Sequence, residues 1–414
     1  MEFAIIKGVA TLKLNFLATT TVAALLWLFG NWARRMIPSL EKYCIPAPVI
    51  GGFVFAMLAW FLRSGNILVF QLDNLLQTPF QLIFFTAIGL AASLSLLMRG
   101  GKLFVLYLVV ACWLIAILQN VIGVFVANLL GVHPVLGVMA GAVALEGGPG
   151  NAAAFGPMAE KLGVIGATTV GITAATYGIL VSGFLGGPTA RWLIERHKTP
   201  IATAEDLELN ALKESLDKER DADSITTPNV VKMITLILVM MVIGAMGAAQ
   251  VKAVTGFDLP HYVGGMFMAI IFRNVNDAVK LVRLSPKSVD LIGDVCLGLF
   301  LTLAMMSLRI WELANLALPL MIMLLAQTVF CVAFCIWPLF AMLGKNYDAA
   351  VMCAGMIGHN LGVAPNAVAN MDAVCRRYGV VVTKAFIIVP LCGAVLVDIV
   401  AIPNIVWFIN YFAK

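Results

Sequence analysis

The chain has 414 residues, of which 61% are hydrophobic and 12% are charged, and its mean hydropathy is +0.98. A soluble domain of this size needs more charge to cover its surface, so this composition excludes a soluble protein. The net charge of +5 lies in short basic clusters between apolar runs, which is typical of cytoplasmic loops and not of a nucleic-acid-binding patch.

Apolar runs of about 17–25 residues, the length that crosses about 30 Å of hydrocarbon, recur along the whole chain. Backbone polar groups in lipid must be satisfied within each segment, and no short alternating strands are visible, so we predict an all-α polytopic membrane protein. The first run has no clear cleavage site and is taken as a span. The predicted spans are 14–33, 45–62, 78–98, 103–130 and 166–190, then 229–251, 259–273, 289–308, 312–341 and 384–412.

Two further apolar stretches, 134–163 and 348–378, are interrupted by glycine and proline and predict re-entrant or broken helices. The strongly charged stretch 191–228 predicts a linker between an N-terminal membrane repeat, 1–190, and a C-terminal one, 229–414. The excess of Lys and Arg on one side of the membrane predicts a cytoplasmic linker, with both termini on the opposite side.

The two halves resemble each other in the order of their short motifs. Pro46 and the pair Gly51-Gly52 have counterparts in Pro260 and Gly264-Gly265. Each half contains five predicted spans, an odd number, so the second copy must lie upside down relative to the first. We therefore predict two inverted five-span repeats, with a chance match of apolar segments as the alternative.

The interrupted stretches are where we expect the binding chemistry. The first contains the run 146–151, Glu-Gly-Gly-Pro-Gly-Asn, and the second the run 358–366, which includes His359 and Pro365. Corresponding breaks in both halves point to a transporter's binding site, because half-helix N-termini can hold a carboxylate and freed carbonyls can hold sodium. The alternative is a pair of ordinary surface loops.

Short motifs along the chain also match a known family of carriers. They are Ile45-Pro46, Pro48-Val49, Gly51-Gly52, Gly89-Leu90, Gln119-Asn120, Gly147-Gly148 with Gly150, Ala175-Thr176 with Gly178, Gly186-Gly187-Pro188, 344–351, Leu361-Gly362, Pro365, 369–371, Val389-Pro390, Gly393-Ala394 and 398–400. On these residues the chain resembles the bacterial sodium/glutamate symporter family along essentially its whole length. The resemblance implies a homodimer, two inverted five-span repeats, re-entrant elements near the substrate and elevator-type alternating access.

The chain departs from the family pattern mainly in the two interrupted stretches. The family has a small hydroxyl residue in place of Glu146, a histidine in place of Pro149, hydroxyl residues in place of Asn151 and Asn366, an aromatic and a glycine in place of His359 and Asn360, and an amide in place of Asp294. These departures put the identity of the substrate in doubt more than the mode of transport.

Glu146 matters most, because a charged Glu146 in a pocket of low dielectric would repel the side-chain carboxylate of glutamate. It could be protonated, since burial favours the neutral form of a carboxyl group. It could instead hold a cation, or recognise a positive group of a neutral or basic amino acid. A packing role beside a nearby cation is the remaining alternative, although ionisable groups inside membranes are usually functional.

The candidate residues fall into two sets. We predict substrate contacts at Glu146, Gly147, Gly148, Gly150, Asn151, Thr176, His359, Asn360, Gly362, Pro365 and Asn366, and sodium contacts at Asp398, Asp294 and Ser93. Asp398 has apolar neighbours in the last span and matches the family pattern, whereas Asp294 could equally be an interfacial cap. Thr176 and Ser93 are weaker candidates, because hydroxyl residues are common as packing residues in membrane helices.

These patterns favour sodium-coupled symport of glutamate or a related small amino acid or carboxylate, with sodium as the coupling ion and no organic cofactor. A proton-coupled carrier of a neutral or basic amino acid that uses Glu146 is the first alternative, and an ion channel is the second. The sequence contains no H-E-x-x-H, G-x-S-x-G or Walker motif, so an enzyme or an ATP-driven pump is not supported. The expected partners are the substrate, the lipid bilayer and a second copy of the chain, with no nucleic acid.

Overall fold

A computed structural model describes residues 2–6, 9–38, 46–93, 101–201, 223–255, 259–308 and 316–413. Most of the predicted linker 191–228 lies outside these residues, as do parts of the predicted spans 45–62, 78–98 and 312–341.

The described part of the chain is mostly helical, as predicted. Its first half contains α1 (Phe16–Met36), α2 (Ala47–Ser64), α3 (Gln77–Ala91), α4 (Gly101–Leu129), α5 (Pro134–Val143), α6 (Gly148–Lys161) and α7 (Ala167–His197). Its second half contains α8 (Thr227–Thr255), α9 (His261–Val279), α10 (Pro286–Met306), α11 (Ala317–Met342), α12 (Tyr347–Leu361), α13 (Ala364–Tyr378) and α14 (Thr383–Phe412).

Eight of the described helices are long and apolar enough to cross a membrane: α1, α2, α4, α7, α8, α10, α11 and α14. The predicted spans 78–98 and 259–273 are also helical, as α3 and α9, but they fall short of this criterion. Helix α3 has 15 described residues, which at 1.5 Å per residue is about 22 Å. Helix α9 carries an ion pair of Arg273 and Asp277, whose Nε and Oδ1 atoms are 3.0 Å apart.

Three short strands were not anticipated from the sequence. Strands β1 (Glu2–Ile6) and β2 (Val9–Leu14) pair antiparallel, and β2 pairs in parallel with β3 (Val69–Leu72), which follows α2. The strands are only four to six residues long, too short for their alternation to stand out beside the adjacent apolar runs. The expectation that the chain has no strands was therefore wrong at its N-terminus.

The helices pack into two groups, each drawn from both halves of the chain. The first three helices of each half, α1–α3 and α8–α10, pack mainly on one another and form what we call the six-helix group. The remaining helices, α4–α7 and α11–α14, pack mainly on one another and form the eight-helix group. Fewer contacts join the groups, among them α6 with α10 and α3 with α14. A seam therefore runs through the molecule between them.

Local sequence signals explain where several helices begin. The side chains of Asn15, Ser285 and Asn346 accept hydrogen bonds from backbone N–H groups in the first turns of α1, α10 and α12. Pro46 and Pro260 directly precede α2 and α9, the equivalent second helices of the two halves, and proline favours the start of a helix because it lacks an N–H group.

Candidate functional site

Both interrupted stretches form a helix, a short break and a second helix. The first break lies at Glu146 and Gly147, between α5 and α6, and Gly148 begins α6 with a φ of +66°. The second lies at Gly362 and Val363, between α12 and α13, and Gly362 has φ −136° and ψ −117°. A left-handed φ such as that of Gly148 favours glycine, so glycine allows the chain to change direction there.

The two breaks lie against each other, although more than 200 residues separate them. A Cβ atom on Gly148 would be 3.1 Å from Cγ1 of Val363. The N-termini of α6 and α13 therefore meet in one place, and the helix macrodipole makes such termini favourable for negative charge.

A cavity of about 420 Å³, which we call the seam cavity, lies where the two breaks meet the six-helix group. The eight-helix group lines it with Glu146, Gly147, Pro149, Gly150, Asn151, Val363, Ala364, Gly393, Ala394, Val397 and Asp398. The six-helix group lines it with Trp27, Asn31, Arg34, Pro46, Ala47, Pro48, Phe84, Ile88, Asp294, Leu297, Gly298 and Leu301. The cavity therefore brings together six predicted residues: Glu146, Gly147, Gly150, Asn151, Asp294 and Asp398.

Glu146 is the least compensated charged residue of the seam cavity. Its side chain is 6% exposed, and both carboxylate oxygens are buried without a hydrogen-bond partner among the described residues. The neighbouring charged group is Asp398, itself 8% exposed, and the side chain of Asn151 lies beside Asp398. Buried carboxylate oxygens that lack partners are suitable ligands for a sodium ion, because alkali and alkaline-earth cations prefer oxygen.

The opposite wall of the cavity carries one basic and one acidic residue. Arg34, near the end of α1, has a buried Nε without a hydrogen-bond partner among the described residues. Asp294, on α10, is exposed and also faces the cavity. Glu146, Asp294 and Asp398 bring three negative charges and Arg34 brings one positive charge, so the ionised cavity has a net charge of −2.

Three predicted substrate contacts lie behind the cavity wall instead of lining it. His359 is 1% exposed and forms a hydrogen bond of 2.9 Å between its Nε2 and the hydroxyl of Tyr107. The Nδ2 of Asn360 donates to the Ala111 carbonyl at 2.7 Å. The Nδ2 of Asn366 donates to the carbonyl of Ile179 on α7, also at 2.7 Å, while its Oδ1 is buried without a partner.

The remaining predicted residues are also outside the lining. The Thr176 hydroxyl donates to the carbonyl of Ile172 within α7, at 3.0 Å. The Ser93 hydroxyl donates to Oδ2 of Asp277 at 2.5 Å, beside the Arg273 ion pair. The predicted residues Gly148, Gly362 and Pro365 shape the two breaks through their backbones.

Apart from Asp294, sequence reasoning missed the part of the site that the six-helix group supplies. Trp27, Asn31 and Arg34 follow one another at helical spacing on α1, and all three line the seam cavity. Spacing of i, i+4 and i+7 places side chains on one helix face, so this signal was available. In the sequence, Arg34 directly follows the predicted span 14–33, so it is interpreted there only as one of the basic residues of a loop.

The family model and the relatives that match this chain carry the same description. The model of a family described as "Sodium/glutamate symporter" matches residues 12–380. The "Sodium/glutamate symporter" of Escherichia coli (strain K12) is 38% identical over 388 residues, covering 94% of this chain and 95% of that protein. The protein of the same description from Haemophilus influenzae is 39% identical over 385 residues, covering 92% and 94%. Among solved structures, the sodium proton antiporter MjNhaP1 from Methanocaldococcus jannaschii aligns over 96% of both chains with a TM-score of 0.45 and 14% identity.

Proposed function

Because this chain belongs to the sodium/glutamate symporter family, we propose that it carries glutamate, or a related small amino acid or carboxylate, by sodium-coupled symport through the seam cavity. Its family consists of transporters, so the chain is a membrane transporter and not an enzyme. We assign transport to this site because both helix breaks meet on the wall of a single cavity between two helix groups.

The cavity offers separate places for the anionic parts of a substrate and for cations. A substrate carboxylate docks at the N-terminus of α6 or α13, where backbone N–H groups and the helix dipole favour negative charge. Arg34 supplies a second anion-binding group from the opposite wall. The coupling sodium binds at Asp398 or Asp294, with carbonyl groups freed at the breaks as further ligands.

The charge of the cavity gives a physical reason for coupling. With a net charge of −2 before ions bind, the cavity repels the −1 charge of glutamate. Each sodium that binds to a carboxylate removes one negative charge, so sodium binding raises the affinity for the anion. By linkage, the anion raises the affinity for sodium by the same factor.

Movement of the eight-helix group against the six-helix group would expose the cavity alternately to the two sides of the membrane. This elevator-type movement is supported by the seam, across which the groups make fewer contacts than within themselves. The inverted repeat is supported by the equivalent order of the seven helices described in each half, with breaks between the fifth and sixth. A further support is the hydrogen bond of 2.6 Å from Nε2 of Gln327 to the Gln119 carbonyl, which joins α4 and α11, the fourth described helices of the two halves. We further propose a homodimer in a bacterial inner membrane, with a cytoplasmic linker and periplasmic termini.

A second candidate function is proton-coupled transport of a neutral or basic amino acid. The observation that favours it is the same excess of carboxylates, because Glu146, Asp294 and Asp398 could bind the ammonium groups of such a substrate. Glutamate transport requires these charges to be neutralised by cations, whereas a basic substrate would neutralise them itself.

Uptake by sealed liposomes containing the purified protein separates the two candidates. Labelled glutamate is expected to accumulate when an inward sodium gradient is imposed and not when choline replaces sodium. Absence of glutamate uptake, together with uptake of a neutral or basic amino acid under a proton gradient, would favour the second candidate. Equilibration of substrate without accumulation would contradict both and favour a channel.

A further inference from the structure

We propose that Glu146 and Asp398 together form a binding site for one sodium ion on the eight-helix group. This inference rests on the proposed sodium coupling for its biological meaning. It changes the predicted role of Glu146, which becomes an ion ligand and leaves substrate binding to the helix N-termini and Arg34.

The first argument is the absence of a protein partner for the Glu146 carboxylate. Both oxygens have less than 1 Å² of accessible surface, and no described donor reaches either of them. Taking an ionised carboxylate out of water costs several kcal/mol unless a charge or hydrogen bonds compensate it. The described residues supply neither, so the carboxyl group stays ionised there only if a bound cation compensates its charge.

The second argument is the nature of the groups that surround Glu146. Helices α4, α11 and α14 bring Cys112, Cys331 and Asp398 close to it, and the two thiols carry no positive charge. The single ionised neighbour from these helices is a second carboxylate, and two buried carboxylates side by side repel each other. A cation shared between them reduces both the repulsion and the desolvation cost.

The third argument is the supply of additional oxygen ligands at this position. The helical run before the break ends in its last turn with carbonyl groups that have no intrahelical partners, and Glu146 directly follows that turn. The Asn151 side chain lies beside Asp398 and over Gly147, where a Cβ atom would meet its Nδ2 at 2.1 Å. Carboxylate and unwound-backbone oxygens together form the type of site that holds sodium in transporters with broken helices.

All the ligands of this site lie on the eight-helix group, whereas Arg34 and Asp294 lie on the other. The ion would therefore remain with the moving part throughout a transport cycle. One sodium ion bound in this way lowers the charge of this face from −2 to −1 and so weakens its repulsion of an anion.

The test measures sodium binding without transport. The purified protein in detergent at pH 8 is unfolded thermally in sodium chloride or in choline chloride of equal ionic strength. Sodium is expected to raise the Tm of the wild type, because an ion that binds only the folded state stabilises it. In Glu146→Gln, which keeps the shape but loses the charge, the sodium concentration for half the shift is expected to rise at least tenfold. The Tm of this variant in choline is expected to exceed that of the wild type, since an uncompensated buried charge has been removed.

Two further variants complete the test. Asp398→Asn is expected to raise the sodium concentration for half the shift as Glu146→Gln does, and it provides the same comparison if Glu146→Gln cannot be purified. Glu195→Gln is the matched control, because Glu195 is exposed and paired with Arg191, and it is expected to keep the full shift.

The proposal is overturned if sodium does not shift the Tm of the wild type, or if Glu146→Gln shifts as the wild type does. Loss of the shift in Glu195→Gln would also overturn it, since the shift would then not depend specifically on the buried carboxylates. A sodium shift in a wild type that transports no amino acid would leave this site standing and contradict the proposed function.

Discussion

Arg34 is the one basic side chain among the described residues that line the seam cavity, and its replacement tests how the substrate anion is held. A hydrogen bond to a charged group contributes about 1.5–3 kcal/mol. Each 1.4 kcal/mol corresponds to about a factor of ten in affinity. Arg34 is only partly buried, so solvent screening places the expected loss near the lower value. Arg34→Gln is therefore expected to raise the KM for glutamate about tenfold at saturating sodium.

The KM is measured from the initial uptake of labelled glutamate into proteoliposomes. Arg34→Lys keeps the charge but not the planar fork of the guanidinium group, so its KM is expected to lie between those of the wild type and Arg34→Gln. Arg35→Gln is the matched control, because Arg35 is exposed on the same helix and does not line the cavity. An unchanged KM in Arg34→Gln, or an equal rise in Arg35→Gln, would refute the assignment of Arg34 to the substrate site.

Three further predictions concern packing and the remaining polar groups. In Gly178→Ala, the added Cβ would lie 1.9 Å from a backbone carbonyl oxygen of α12, so we expect a loss of stability of about 1–3 kcal/mol, measured as a lower Tm. An unchanged Tm would contradict the close packing of α7 against α12. Lys384→Met leaves the carboxylate of Asp348 buried without its ion-pair partner, so the free energy of unfolding is expected to fall by about 3–5 kcal/mol. This loss would be measured as a lower Tm, and a Tm equal to that of the wild type would mean that the ion pair does not stabilise the fold. Asn151→Ala is expected to affect uptake more strongly than the Tm, whereas Asn366→Ala is expected to affect the Tm more strongly, because the Asn366 side chain donates a hydrogen bond to α7. Loss of uptake in Asn366→Ala with intact folding would instead support its predicted substrate role, and unchanged uptake in both variants would remove both residues from the site.

The sequence was informative about the breaks because glycine and proline act locally. Gly147, Gly148 and Gly362 sit at the two breaks that the structure shows, and their effect on the backbone does not depend on distant contacts. Strongly apolar runs were equally clear, since span length follows from membrane thickness.

The orientation of side chains around the second break could not be predicted. All 15 residues of α12 are buried, so its sequence has no polar face to indicate which side meets the cavity. His359 and Asn360 are predicted substrate contacts, and in the structure their hydrogen bonds join α12 to α4. Asp398, predicted because a single carboxylate among apolar neighbours is conspicuous, lines the seam cavity.

The contribution of α1 was missed because it depends on how distant helices pack, and the same packing suggests the path of the substrate. Helix α6 lines the seam cavity with its first residues and, with Pro157 and Lys161, a second cavity of about 560 Å³. The rings of Phe85, Phe155 and Tyr262, with centroids 5.0 and 5.6 Å apart, pack along the seam. Since α6 has 14 residues and is about 21 Å long, a slide of the eight-helix group by a fraction of that length would carry the break towards the second cavity. Both cavities would then serve one binding site at different stages of transport.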